Sequence, residues 1–70
     1  MECAIRTDHI RLSQLMKLAG MVDDGVAAKH AVLQGQVRVN GVVEVRRGRK
    51  IRAGDSVEFA GRTWVVRSER

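Results

Sequence analysis

The chain has no proline and no tyrosine, and only one cysteine, one tryptophan and one phenylalanine in 70 residues. Each shortage excludes something. A single thiol, Cys3, cannot close an internal disulfide, and without other thiols it cannot build a cysteine zinc site. His9 and His30 lie far apart and share no ligand spacing, so no metal or other cofactor is expected. Scarce aromatics argue against modules that read single-stranded nucleic acid by stacking bases on several exposed rings. Trp64 and Phe59 fall in alternating patterns and are expected in a core. The absence of proline-rich or low-complexity segments, with 44% hydrophobic residues, argues against disorder.

Two further absences concern compartment. No apolar run approaches the ~18 residues that a membrane-spanning helix needs. The first basic residue, Arg6, is followed by polar "TDHIR" rather than by the apolar stretch of a secretory leader. No membrane association is expected, and a reducing cytoplasm is the expected location.

Catalytic groupings are missing as well. Acid–base and nucleophilic chemistry need paired carboxylates, a nucleophile beside a base, or a metal. Cys3 sits in a short N-terminal segment, expected to fray, with no fixed basic neighbour. Asp23 and Asp24 read as helix-capping residues, and Asp55 as a turn carboxylate after Gly54. Gly41, Gly54 and Gly61 sit in expected turns without the spacing of a phosphate-cradling loop. The chain is therefore read as a non-enzyme with no small-molecule substrate.

What the sequence has in quantity is positive charge. Thirteen Lys and Arg stand against eight Asp and Glu, for a net charge of +5, and ten of the thirteen are Arg. The guanidinium fork matches phosphate oxygens better than an ammonium does. Five of these cations crowd into "RRGRKIR", residues 46–52, and no acid nearby in sequence is expected to neutralise them before Asp55. A dense basic patch on a small domain points to nucleic acid.

Periodicity gives the frame. Leu12, Leu15, Met16 and Ala19 recur at the spacing of one helical face, Ser13, Gln14 and Lys17 take the other, and Gly20 ends the helix. Asp24 is placed to N-cap a second helix whose Ala28, Ala31 and Val32 repeat the spacing, with Gly35 as its stop. The period then changes to two. Asn40-Gly41 predicts a type I′ hairpin, which would oppose Val39 to Val42 and also Val37 to Glu44. The second pair breaks the apolar alternation, so a bulge or an irregular second strand is expected. "SVEF" and "TWVVR" read as two more strands, and "CAIRT" as a weak edge strand. The expected fold is a single α+β domain over residues 1–70, with two packed helices followed by a small, mostly antiparallel twisted sheet.

On this frame the candidate contact residues are Lys17 and Lys29 on the helices, His30 on helix two, Arg38 and Asn40 on the hairpin, and Arg46, Arg47, Arg49, Lys50 and Arg52. The last five are expected on a loop after the hairpin. With few aromatics, the favoured mode is recognition of a folded nucleic acid by shape and phosphate. Two alternatives stay open. Helices one and two could act as a helix-turn-helix on double-stranded DNA, although Lys29, His30 and Gln34 make a thin set for base readout. The cations could also serve a basic adaptor for an acidic protein.

The runs "RLSQLMKLAG", "AAKHAVLQGQVRVNG" and "AGDSVEF" together resemble the S-four (S4) RNA-binding domain, built on the helix–helix–hairpin unit called the alpha-L motif. The match covers roughly residues 10–60, with an additional C-terminal strand near 62–67. It is strongest at Gln34-Gly35-Gln36-Val37-Arg38-Val39-Asn40-Gly41 and at Gly54-Asp55. The chain is most similar to small stand-alone bacterial members. The resemblance implies a binder of structured RNA, with ribosomal RNA or a ribosomal precursor particle as the partner, and a monomer is expected. In one place the chain departs from the pattern. Asp24-Gly25 stands where many members carry Ser-Arg at the start of helix two, so Lys29 and "RRGRK" are expected to supply the missing cation.

Overall fold

The computed structural model describes residues 1–69. In chain order the elements are β1 (Glu2–Ile5), β2 (Ile10–Arg11), α1 (Leu12–Leu18), α2 (Gly25–Leu33), β3 (Val37–Val39), β4 (Val42–Val43), β5 (Lys50–Ile51), β6 (Ser56–Phe59) and β7 (Arg62–Ser68). The α+β class follows as expected, with both helices in the places that periodicity assigned them.

Alternation divides the strands into two faces. Cys3, Ile5, Val37, Val39, Val57, Trp64 and Val66 are buried, and they form one core with Leu12, Leu15 and Met16 of α1 and Ala28, Ala31 and Val32 of α2. The helices thus cover one face of a five-stranded sheet ordered β1-β7-β6-β3-β4. All pairings in it are antiparallel except β1 with β7, which is parallel. Alanine at 28 and 31 removes bulk where the two helices meet the core. Phe59 packs against the core from a half-buried position.

Local chemistry sets the boundaries. The Asp24 carboxylate accepts the Ala27 amide at 2.8 Å, satisfying one free donor at the start of α2. Both helices end on a left-handed glycine: Gly20 at φ 75° and Gly35 at φ 72°. In each, the residue after that glycine donates back across the last turn, Met21 to the Met16 carbonyl and Gln36 to that of Ala31. The Asn40-Gly41 turn has φ of 52° and 83°, the type I′ geometry, and sets Val39 opposite Val42.

Two expectations are corrected. The segment around Cys3 is not frayed. It is a strand held parallel to β7, with Cys3 only 7% exposed, and burial raises the thiol's pKa above its ordinary value. The basic run is not simply a loop either. Lys50–Ile51 pairs antiparallel with Ile10–Arg11 as a separate two-stranded ribbon, because Ile51 is fully buried and draws the chain inward.

The β6–β7 hairpin turns on Ala60-Gly61, with Ala60 at φ 54°. A left-handed conformation suits glycine or asparagine and strains alanine. Ala60→Gly is expected to raise stability by about 1 kcal/mol, read as a higher denaturation midpoint at unchanged slope.

Candidate nucleic-acid interface

The hairpin position that broke the alternation turns out to organise the basic run. The Glu44 amide donates to the Val37 carbonyl at 3.0 Å, so the hairpin pairing continues to this residue. Its side chain lies on the inner side, and Glu44 is only 6% exposed. A buried carboxylate needs partners, and two guanidiniums supply them. Arg46 donates from Nε to Oε2 and from Nη2 to Oε1, both at 3.1 Å, and its backbone amide adds a third bond at 3.1 Å. Arg49 donates from Nη1 to Oε1 at 2.9 Å. The hydrogen bonds from Arg46 and then Arg49 pull the Glu44 carboxyl down to about 2. The expectation of five unneutralised cations is corrected accordingly: Arg46 and Arg49 share an acid just upstream of the run.

The backbone of the run is fixed to helix α1. The Arg49 amide donates to the Arg46 carbonyl at 3.2 Å, closing a tight turn with Arg47 and Gly48 at its tip. The Leu12 and Ser13 amides, at the start of α1, donate to the Arg49 and Arg47 carbonyls at 2.9 and 3.1 Å. No side chain caps this helix, so the basic turn does so with its own carbonyls.

In the β2–β5 ribbon, Ile10 pairs with Ile51 and Arg11 with Lys50. The isoleucines pack inward, while Arg11 and Lys50 stand exposed side by side on the other face. Like charges directly opposite each other destabilise a strand pair. Arg52, one residue beyond the strand, and Arg47, at the tip of the turn, are also exposed. Among the described residues, none of Arg11, Arg47, Lys50 and Arg52 makes a salt bridge, whereas Arg6 and Arg67 are paired with Glu69 and Glu2.

The remaining candidates are placed differently. Lys17 is exposed in the last turn of α1, about 8 Å along the helix axis from the end that meets the basic turn. Lys29 and His30 are exposed on α2. Arg38 does not converge with them. Its neighbours Val37 and Val39 face the helices, so Arg38 leaves from the opposite face of the sheet, where its cross-strand partners are Glu58 and Val43. The Asn40 amide group is occupied within the protein: Nδ2 donates to Asp55 Oδ1 at 3.1 Å, and Oδ1 accepts the Ser56 amide at 2.9 Å. Asp55 also accepts the Arg52 amide at 2.8 Å. Burial works to raise the Asp55 pKa, but the Arg52 and Asn40 hydrogen bonds and the charges of Arg49 and Arg52 outweigh it and lower the carboxyl overall.

Arg11 is the residue that sequence reasoning missed. Nothing local marks it, because its meaning comes from pairing with a residue 39 positions away. Among the described residues there is no group of three or more side chains suited to a metal, and no helix long and apolar enough to cross a membrane.

Comparison with known proteins agrees with this architecture. A family model described as the S4 domain matches residues 3–67. YbcJ of Escherichia coli (strain K12), provisionally named as an RNA-binding protein, is 47% identical over 58 residues, covering 83% of each chain. RlbA of Bacillus subtilis (strain 168), provisionally named as a ribosome maturation protein, is 41% identical over 58 residues, covering 83% of this chain and 82% of its own. The solution structure of E. coli YbcJ, described as revealing an alpha-L motif involved in RNA binding, superposes with a TM-score of 0.73 at 40% identity. It covers 94% of this chain and 85% of that one.

The Glu44 cluster sets a pH dependence. A carboxyl titrating at about 2 when folded, against an ordinary 4.5, adds stability that is complete above pH 4.5 and is lost as pH falls towards 2. Glu44→Gln is expected to cost about 1–3 kcal/mol at neutral pH. It should also flatten the fall in melting temperature between pH 4.5 and 2, measured by thermal denaturation across that range.

Proposed function

The chain belongs to the S4 domain family, and we propose that it binds structured RNA without catalysing a reaction, with ribosomal RNA or a ribosomal precursor particle as its target. The observation that carries this reading is the ribbon and turn beside α1. There Arg11, Arg47, Lys50 and Arg52 stand exposed and, among the described residues, without salt bridges on a backbone hydrogen-bonded to the helix. Keeping Arg11 beside Lys50 costs the fold stability, and a polyanion is the ligand that offsets the repulsion. The names of the relatives, RNA binding for one and ribosome maturation for the other, point the same way.

The mode of recognition follows from the side chains available. Trp64 is only 7% exposed and Phe59 is half-buried, so no aromatic platform competes with phosphate contact. A rigid array of cations reads the contour of a folded backbone, and specificity comes from spacing rather than from base edges. Exposed Lys17, Lys29 and His30 on the helices add further cationic contacts in this reading, Arg46 and Arg49 flank the turn, and Arg38 contributes least because it leaves from the other face of the sheet. The protein acts as a monomer in the cytoplasm.

The test is a salt titration with refolded total ribosomal RNA. The log–log slope of affinity against salt should be roughly −4 to −5 for about five neutralised phosphates, borrowing the duplex coefficient. Replacing Arg11, Arg47, Lys50 and Arg52 together by Gln should reduce the magnitude of that slope by roughly three to four and collapse low-salt affinity. The same replacement of the ion-paired Arg6 and Arg67 should change it little. Arg11→Gln alone should weaken binding while raising stability by a few tenths of a kcal/mol, about what a like-charge pair costs. Unchanged affinity in the fourfold variant, or stronger competition by a DNA duplex at equal salt, would refute the assignment.

A further inference from the structure

We infer that Glu44 is a positioning residue for the RNA ligand: its carboxylate holds Arg46 and Arg49 in fixed orientations, so that an acid in the middle of a basic surface strengthens binding to a polyanion. This inference rests on the RNA-binding reading above.

The geometry supports it through the donors left over. A guanidinium carries five N–H groups in one plane. Arg46 spends the edge formed by Nε and Nη2 on Glu44, which fixes the plane of the fork and leaves its Nη1 edge for another acceptor. Arg49 spends only Nη1, leaving Nε and Nη2. Two cations therefore share one anion, and the cluster keeps a net positive charge. The Arg46 side chain is 73% exposed although its head is tied down, so the free edge faces solvent. Arg49 is 32% exposed.

The carboxylate is itself immobile. The Glu44 backbone is bonded to β3, and the turn that carries both arginines is bonded to α1. An arginine left loose would lose its rotamer freedom on binding, and that loss weakens an interface. Here the ordering has already occurred in the free protein. Coulomb attraction alone makes the opposite forecast, since deleting an acid near phosphates should tighten binding. The sign of one mutational effect separates the two.

The experiment measures binding of refolded total ribosomal RNA to wild type, Glu44→Gln, the double variant Arg46→Gln/Arg49→Gln, and the triple variant, all at neutral pH. Melting curves establish that each is folded at the assay temperature. Glu44→Gln is expected to lower affinity about tenfold, from the lost ordering of two side chains. In the Arg46→Gln/Arg49→Gln background the same change should have almost no effect, because Glu44 acts only through those two groups. A purely structural role would give additive losses and would overturn the inference, as would equal or tighter binding by Glu44→Gln. If Glu44→Gln does not fold, Arg46→Lys/Arg49→Lys decides instead. It keeps every charge but loses the fork, so weaker binding supports the inference and unchanged binding refutes it. A wild type that does not bind the RNA at all would refute the parent reading instead.

Discussion

The structure turns on one buried carboxylate. Glu44 sits where a hairpin strand should place a valine-like residue on the core, and a lone acid there would be prohibitive. It is tolerated because Arg46 and Arg49 fold back over it, and that fold-back shapes the turn that follows. The turn's carbonyls in turn receive the first amides of α1, which lacks any side-chain cap. Hairpin, basic turn and helix are therefore one hydrogen-bonded unit. Removing the acid would loosen all three.

This unit explains how a strongly basic chain of this size folds. Eight of its thirteen cations fall into two populations. Arg6, Arg46, Arg49 and Arg67 are matched with carboxylates and behave as parts of the scaffold. Arg11, Arg47, Lys50 and Arg52 are left exposed around the ribbon and turn and make no salt bridge among the described residues. Net charge alone does not distinguish the two groups: the first shares its charge with carboxylates, and the second makes no such pair among the described residues.

Much of this was legible in the sequence, for physical reasons that differ by element. The helices declared themselves through local periodicity and through glycines that only a left-handed ending requires. Asp24 was legible as a cap because capping is decided within three residues. Asn40-Gly41 was legible because few residue pairs accept positive φ at both positions. Arg11 was not, since its neighbour Lys50 is brought to it by tertiary folding. The fate of Glu44 was half visible. Its clash with the apolar alternation suggested irregularity, but the two arginines that resolve the clash could have pointed anywhere until the turn was known. Arg38 shows the converse limit: strand alternation fixes which face a residue takes, but only the position of the helices says what lies on that face.

The ribbon joining residues 10–11 to 50–51 has a final implication. Two residues per strand with like charges abreast make a short seam between the N-terminal segment and the basic run. Anything that settles across those charges also closes the seam, so the ligand would serve as the last stave of the barrel-maker's hoop, tightening the protein that holds it.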